Sequence, residues 1–149
     1  MSNTKRGVNK KLKRRAIGIK CKRYVPDERD FLTCEEAKKL DDVYWYEEDG
    51  KRTLVEDGKE LVSGVDDVYW YVKGVYEYKK DGKYTLIEND KVLVSGVDYV
   101  YWYAKGVYEY VKDSKYTLIE KGKTLVSVMN GDGYWHKEGV YEYEVLNLY

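Results

Sequence analysis

Residues 66–97, DDVYWYVKGVYEYKKDGKYTLIENDKVLVSGV, and residues 98–129, DYVYWYAKGVYEYVKDSKYTLIEKGKTLVSVM, are identical at 23 of 32 aligned positions without a gap. Self-similarity at a fixed period is the mark of a repeat architecture, in which each unit buries its apolar face against a neighbour. The offset continues backward, since VYWYEEDGKRTLVEDGKELVSGV at 43–65 falls on VYEYKKDGKYTLIENDKVLVSGV at 75–97. It continues forward with one inserted residue, so that Tyr134-Trp135 matches Tyr101-Trp102 and GVYEY at 139–143 matches GVYEY at 106–110. Residues 43–149 therefore form a tandem array, with units at about 43–65, 66–97, 98–129 and 130–149.

Within the unit the apolar period is two, which predicts strands. In 66–97 these are Val68–Val72, Val75–Lys80, Tyr84–Glu88 and Val92–Ser95, joined by the dipeptides Lys73-Gly74, Asp81-Gly82 and Asn89-Asp90. Asp-Gly and Asn-Asp supply the positive φ values of two-residue hairpin turns, so the path is an antiparallel meander. Alternation sets Tyr76 and Tyr78 against Val75 and Glu77, and Val68, Trp70 and Val72 against Tyr69 and Tyr71. Both faces stay partly apolar, which suits sheets stacked on neighbours better than one wet face. Counting along the array predicts about thirteen strands. The expected fold class is all-β: tandem 32-residue antiparallel β-meander repeats in an open or wound array. A small barrel or propeller-like closure is the alternative, because a propeller normally needs at least four blades.

The segment ahead of the array reads differently. Thr33 followed by Glu36 is a capping-box spacing before Glu35 to Leu40, so one short helix is expected from Cys34, within a helical cap over 27–42. Residues 1–26 form a basic, flexible arm. Lys5, Arg6, Lys10, Lys11, Lys13, Arg14, Arg15, Lys20, Lys22 and Arg23 precede the first carboxylate, Asp27. The net charge of zero thus hides a division, because 17 basic and 27 acidic groups remain beyond residue 23. Such an arm neutralises nucleic-acid phosphates or docks on an acidic partner, and it can also lie on the protein's own acidic body. Ala16-Ile17-Gly18-Ile19 is too short for a secretory h-region and is followed by lysine, so an intracellular location, or one inside a particle, is expected. No apolar run approaches the ~18 residues of a membrane span, so no membrane role is expected.

The chain carries 18 Tyr and 4 Trp against a single Phe, so nearly every ring has a polar tip that needs a partner when buried. Tyr44-Trp45, Tyr69-Trp70, Tyr101-Trp102 and Tyr134-Trp135 read as an aromatic ladder. Either its rings pack between strands or they stack on sugars or bases.

No catalytic constellation stands out. His136, the lone imidazole, occupies the place of Tyr71 and Tyr103 and reads as a substitution on a sheet surface. Ser63, Ser95 and Ser127 recur at the repeat period, as structural positions do, and a nucleophile would need one special serine beside a base. Glycines stand singly at hairpins rather than in a phosphate loop. Asp66, Asp67 and Asp98 lack calcium-loop spacing, and Cys21 and Cys34 form no metal-binding pair. No enzymatic activity, cofactor or metal is expected.

The run KYTLIENDKVLVS at 83–95, with KRTLVE at 51–56 and KYTLIE at 115–120, resembles the WG (KWG) repeat family, which repeats a Lys-aromatic-Gly-aliphatic-aliphatic-acid segment, a Gly-Lys turn and a short aliphatic strand. This sequence has Thr where that family has Gly. The resemblance implies a non-enzymatic repeat module used for interactions. The expected function is accordingly a structural or protein-interaction module anchored through its basic arm, within an assembly such as a virion or ribonucleoprotein. Nucleic-acid binding through residues 1–23 is the alternative, and glycan binding by the aromatic ladder comes third.

Overall fold

A computed structural model of the chain describes residues 17–20 and 43–146. The helix expected from Cys34, both cysteines and every basic residue of the arm except Lys20 lie outside the described residues. What is described is all-β and consists of hairpin-linked strands, as the periodicity requires. By contact the chain divides between Gly82 and Lys83, inside the second repeat, into two compact units.

The first unit holds β1 (Ile17–Lys20), β2 (Val43–Glu48), β3 (Lys51–Glu56), β4 (Lys59–Val65), β5 (Asp67–Val72) and β6 (Val75–Lys80). The second holds β7 (Lys83–Glu88), β8 (Lys91–Val97), β9 (Tyr99–Ala104), β10 (Val107–Lys112), β11 (Lys115–Glu120), β12 (Lys123–Met129), β13 (Gly131–Lys137) and β14 (Val140–Val145). Within the first unit β2 pairs antiparallel with β3, β3 with β4 and β5 with β6; within the second β7 pairs with β8, β9 to β12 pair in succession and β13 pairs with β14, while β4 to β5, β8 to β9 and β12 to β13 lead from one sheet to the next. The four strands expected in 66–97 are found with ends moved by no more than two residues.

One element departs from the sequence reading. Residues 17–20, counted above within a flexible arm, form β1 and pair in parallel with β2, from Ile17 opposite Tyr44 to Lys20 opposite Glu47. In the repeat frame β2 is a second strand, so β1 fills the place that β5 and β9 take beside β6 and β10.

The turns that close the second and third strands have both φ angles positive, for example 52° and 80° at Asp81-Gly82 and 49° and 66° at Asn89-Asp90, whereas Lys73-Gly74, Lys105-Gly106 and Glu138-Gly139 have only the glycine positive. Two positive φ angles give the twist that closes a tight hairpin without splaying its strands. Between the turns, every third strand sends one leucine inward: Leu54, Leu86 and Leu118 are each fully buried. Burying such a side chain stabilises by about 2 kcal/mol. Beside each leucine, on the opposite face, a buried threonine meets the serine of the fourth strand: Thr53 with Ser63 at 2.9 Å, Thr85 with Ser95 at 2.8 Å and Thr117 with Ser127 at 3.3 Å. The repeating serines are thus cross-strand partners, which explains their period.

The third repeat breaks the pattern in one place. Gly64 and Gly96 have φ of +70° and +72° and make a bulge in β4 and β8, after which Val65 and Val97 turn inward, each 1% exposed. Val128 replaces that glycine and cannot take the bulged conformation, since a β-branched residue at positive φ is strongly disfavoured. The pairing therefore runs regularly through Ser127, Val128 and Met129, opposite Thr117, Tyr116 and Lys115. Val128 packs on the core and Met129 is turned out, 55% exposed. The inserted residue of the last repeat follows directly, with Asn130 at φ 51° restoring the path into β13.

Candidate functional site

The aromatic ladder is drawn into a repeated internal contact. The last residue of each third strand is a glutamate, and in the first unit Glu56 Oε2 accepts the indole N–H of Trp70 at 2.7 Å and the backbone N–H of Gly74 at 3.0 Å. The second unit repeats it twice. Glu88 accepts Trp102 Nε1 at 2.8 Å and Gly106 N at 2.9 Å. Glu120 accepts Trp135 Nε1 at 2.9 Å and Gly139 N at 3.1 Å. One carboxylate thus satisfies a side-chain donor on a first strand and a main-chain donor in the turn that follows it. A charged acceptor makes each of these bonds stronger than its neutral counterpart. We call this arrangement the latch.

Tyr69, Trp70, Tyr101 and Trp102 are all buried, and Tyr134 and Trp135 are half-buried. Their rings meet each other: Tyr101 and Tyr103 are edge-to-face with centroids 4.9 Å apart, and Tyr103 lies 5.9 Å from Trp135. Such ring pairs contribute beyond the area they bury. Tyr44 and Trp45 do not belong to this set. By repeat register Trp45 stands where Glu77 and Glu109 stand, and it carries the Arg52 guanidinium over its ring at 4.0 Å. That position in β2, rather than in a first strand, explains why it makes no latch.

A second acidic cluster lies on the face opposite the tryptophans. Glu77 accepts the hydroxyl of Tyr71, and Glu109 accepts the hydroxyls of Tyr103 and, at 2.8 Å, Tyr116. Glu77 and Glu109 are buried, Glu109 completely. A buried carboxylate is tolerated only when its lone pairs are filled, which the tyrosines do. Burial first, and the nearby Glu109 charge second, push the Tyr103 hydroxyl far above its ordinary 10.0. In the last hairpin the same two positions hold His136 and Glu142, 2.7 Å apart and exposed. The lone histidine is thus a cross-strand partner of a carboxylate, as its tyrosine counterparts are.

A third repeated contact sits at the rim. Lys51 is bonded to Asp66, and Lys83 to Asp98, while Asp66 and Asp98 also accept the N–H of Asp81 and Asp113 at 2.9 Å. The lysine bond first, and the backbone bond second, hold both aspartates below the ordinary 3.8. Asp66 and Asp98 are thus taken up by lysines and main-chain donors, and Asp67 by the Arg52 guanidinium at 2.6 Å and the N–H of Val68 at 2.8 Å. Among the described residues no three His, Cys, Asp or Glu side chains converge in a way that would hold a metal ion. Sequence reasoning missed the latch, although its signal was present: Glu56 and Glu88 stand fourteen residues ahead of a tryptophan, and Glu120 fifteen, the difference being the inserted residue.

No protein-family model, no characterised protein and no solved structure matches the chain, so the WG-like spacing has no matching family model behind it.

Proposed function

We propose that the chain is a non-catalytic structural and protein-interaction β-repeat module, anchored through its basic N-terminal segment within an intracellular assembly such as a virion or ribonucleoprotein. The observation that carries this reading is the threefold latch. Each latch uses its carboxylate, its indole and its turn amide to fasten one hairpin to the preceding one, so the aromatic chemistry serves construction. What the array offers outward is a repeated polar surface of strands and hairpin tips, of the kind repeat proteins use to meet an extended partner. WG-like repeats imply the same use.

Cross-linking mass spectrometry on the native assembly tests it. Cross-links from the array lysines, such as Lys59, Lys91 and Lys123, to a recurrent protein partner are the expected result. Cross-links confined to other copies of unfolded or aggregated chain would refute it.

The ten basic residues in the first 23, with no acid among them, favour nucleic acid as the second reading. Fluorescence anisotropy across a salt series decides it, using the full chain and a full-length variant with those ten residues changed to Gln. If six duplex phosphates are neutralised, log K falls against log salt with a slope of about −5 in the wild type only. Equal binding by both proteins would move the contact onto the array.

A further inference from the structure

Two departures of the third repeat from its predecessors meet at one groove of about 410 Å³ on the sheet β9 to β12. The first is the loss of the bulge at Val128, which turns Met129 outward into the groove instead of burying it as Val65 and Val97 are buried. The second is at the rim. Asn130, the inserted residue, follows Met129 where an aspartate follows Val65 and Val97, and its N–H bonds the Ser114 carbonyl at 2.7 Å, so Lys115, the counterpart of Lys51 and Lys83, has no carboxylate bonded to it among the described residues. Lys115 lies directly opposite Lys112 across the hairpin; the second repeat has Lys80 and Lys83 at the same positions, but there Lys83 is bonded to Asp98. Like charges directly opposite each other in a sheet are destabilising, and an anion between them removes the cost.

The rest of the groove sets what else such an anion must carry. Tyr110 forms one wall, its ring running on from that of Tyr108 at a centroid distance of 6.3 Å and 24°. Tyr108 is engaged, donating to the Leu93 carbonyl at 3.2 Å, while Tyr110 reaches the open part. Thr124 presents a hydroxyl on β12, and the bonded hydroxyl pair of Thr117 and Ser127 lines the same groove. Asp113 adds one carboxylate at the rim, which disfavours ligands with several negative charges spread along them, such as a nucleic-acid strand. An aromatic wall, aliphatic thioether, hydroxyls and two ammoniums match the C–H face, the hydroxyl edge and the acid group of one small molecule.

We propose that this groove binds an acidic sugar, its carboxylate or phosphate held between Lys112 and Lys115 and its ring laid against Tyr110. This stands apart from the interaction role argued above, because it rests on a surface that the latches do not use.

The test is an amide chemical-shift titration of the full-length protein with glucuronate, glucose 6-phosphate, glucose and inorganic phosphate. The expected result is saturable shifts confined to residues 110–129 with one or both acidic sugars, the tighter of the two identifying the acid group. Glucose and inorganic phosphate should each bind about tenfold more weakly, since each lacks half of the recognition. Lys115→Gln should cost about tenfold in affinity. The decisive variant is Asn130→Asp, which places a carboxylate in the residue next to the Ser114-Lys115 backbone and should weaken the acidic sugars by a similar factor while leaving shifts outside the third repeat unchanged. Glucose binding as tightly as the acids, inorganic phosphate binding as tightly as glucose 6-phosphate, an Asn130→Asp variant that binds normally, or no saturable shift up to about 20 mM would each overturn the proposal.

Discussion

Replacing Glu56 by alanine tests the latch where it is most deeply set. Glu56 is 8% exposed, and its loss strands two donors: the buried indole N–H of Trp70, now at 2.7 Å, and the N–H of Gly74. A buried donor left without an acceptor costs about 1–3 kcal/mol, with the part-buried Gly74 N–H at the low end because water reaches it. The one lost methylene of the stem adds about 0.8 kcal/mol. The expected loss is therefore about 3–5 kcal/mol, a large share of the stability of a small domain. With an m-value of about 1.5–2 kcal/mol per molar, the urea midpoint should fall by about 2 M. Tryptophan fluorescence reads the transition, and Trp70 reports the local environment directly. Glu56→Gln keeps the stem and one acceptor oxygen while losing the charge, and should cost only about 1 kcal/mol. The exposed Glu60→Ala serves as a control and should stay within about 0.5 kcal/mol of wild type. A Glu56→Ala midpoint indistinguishable from that of Glu60→Ala would show that the latch carries no load and refute the reasoning.

Further outcomes are expected. Tyr103→Phe removes one of the two hydroxyls that fill the buried Glu109 carboxylate, and should destabilise by about 1–3 kcal/mol in the same urea assay; an unchanged midpoint would mean water replaces it freely. Because burial and Glu109 raise the Tyr103 hydroxyl above 10.0, ultraviolet titration should leave this tyrosine un-ionised until the fold is lost at high pH, after the exposed tyrosines have titrated. Asp66 and Asp98 are held below 3.8 by their lysines, so the stability they add is complete above that value and is lost as pH falls through their lowered values. The double variant Asp66→Asn, Asp98→Asn should accordingly lose less stability on acidification from pH 5 to about pH 2 than wild type, and an identical acid profile would sink that account. Gly133→Ala places a methyl 2.5 Å from Tyr116 Oη and 2.9 Å from the Glu142 carbonyl, so it should lower the melting temperature well beyond the exposed Gly50→Ala, as calorimetry would show.

The strands β2 to β14, their turns and their order were legible in the sequence, because a period of two, interrupted by Asp-Gly and Asn-Asp, has one physical reading. The serines and the lone histidine were also read in the right sense, as repeat positions on strands. The partners were not legible. Period-2 alternation assigns Trp70 and Glu56 each to a face, but it does not say which sheet a face meets, and the latch joins residues fourteen apart on different hairpins. Grouping Tyr44-Trp45 with the later Tyr-Trp pairs followed from local similarity, while the repeat register sets Trp45 on Glu77. Strand β1 escaped because four residues in a basic segment carry too little periodicity to be told from an arm. The groove at Lys115 escaped for a different reason: it arises from what Val128 and Asn130 fail to do, and such losses show only once the bulge and the ion pair of the earlier repeats are seen.

The latch also bears on how such a chain is inherited. Its three components fall in different places in the cassette, the glutamate closing one third strand and the indole and glycine opening the next unit. An in-frame duplication or deletion of a whole 32-residue cassette therefore always rejoins a glutamate to a tryptophan, wherever in the cassette the break falls. Copy number can drift between related lineages without a mismatched joint, whereas the joint between the units 98–129 and 130–149, with Val128 and Asn130, cannot be copied elsewhere without carrying its altered geometry along. Length variation in this protein should consequently arise among the regular repeats and spare that joint.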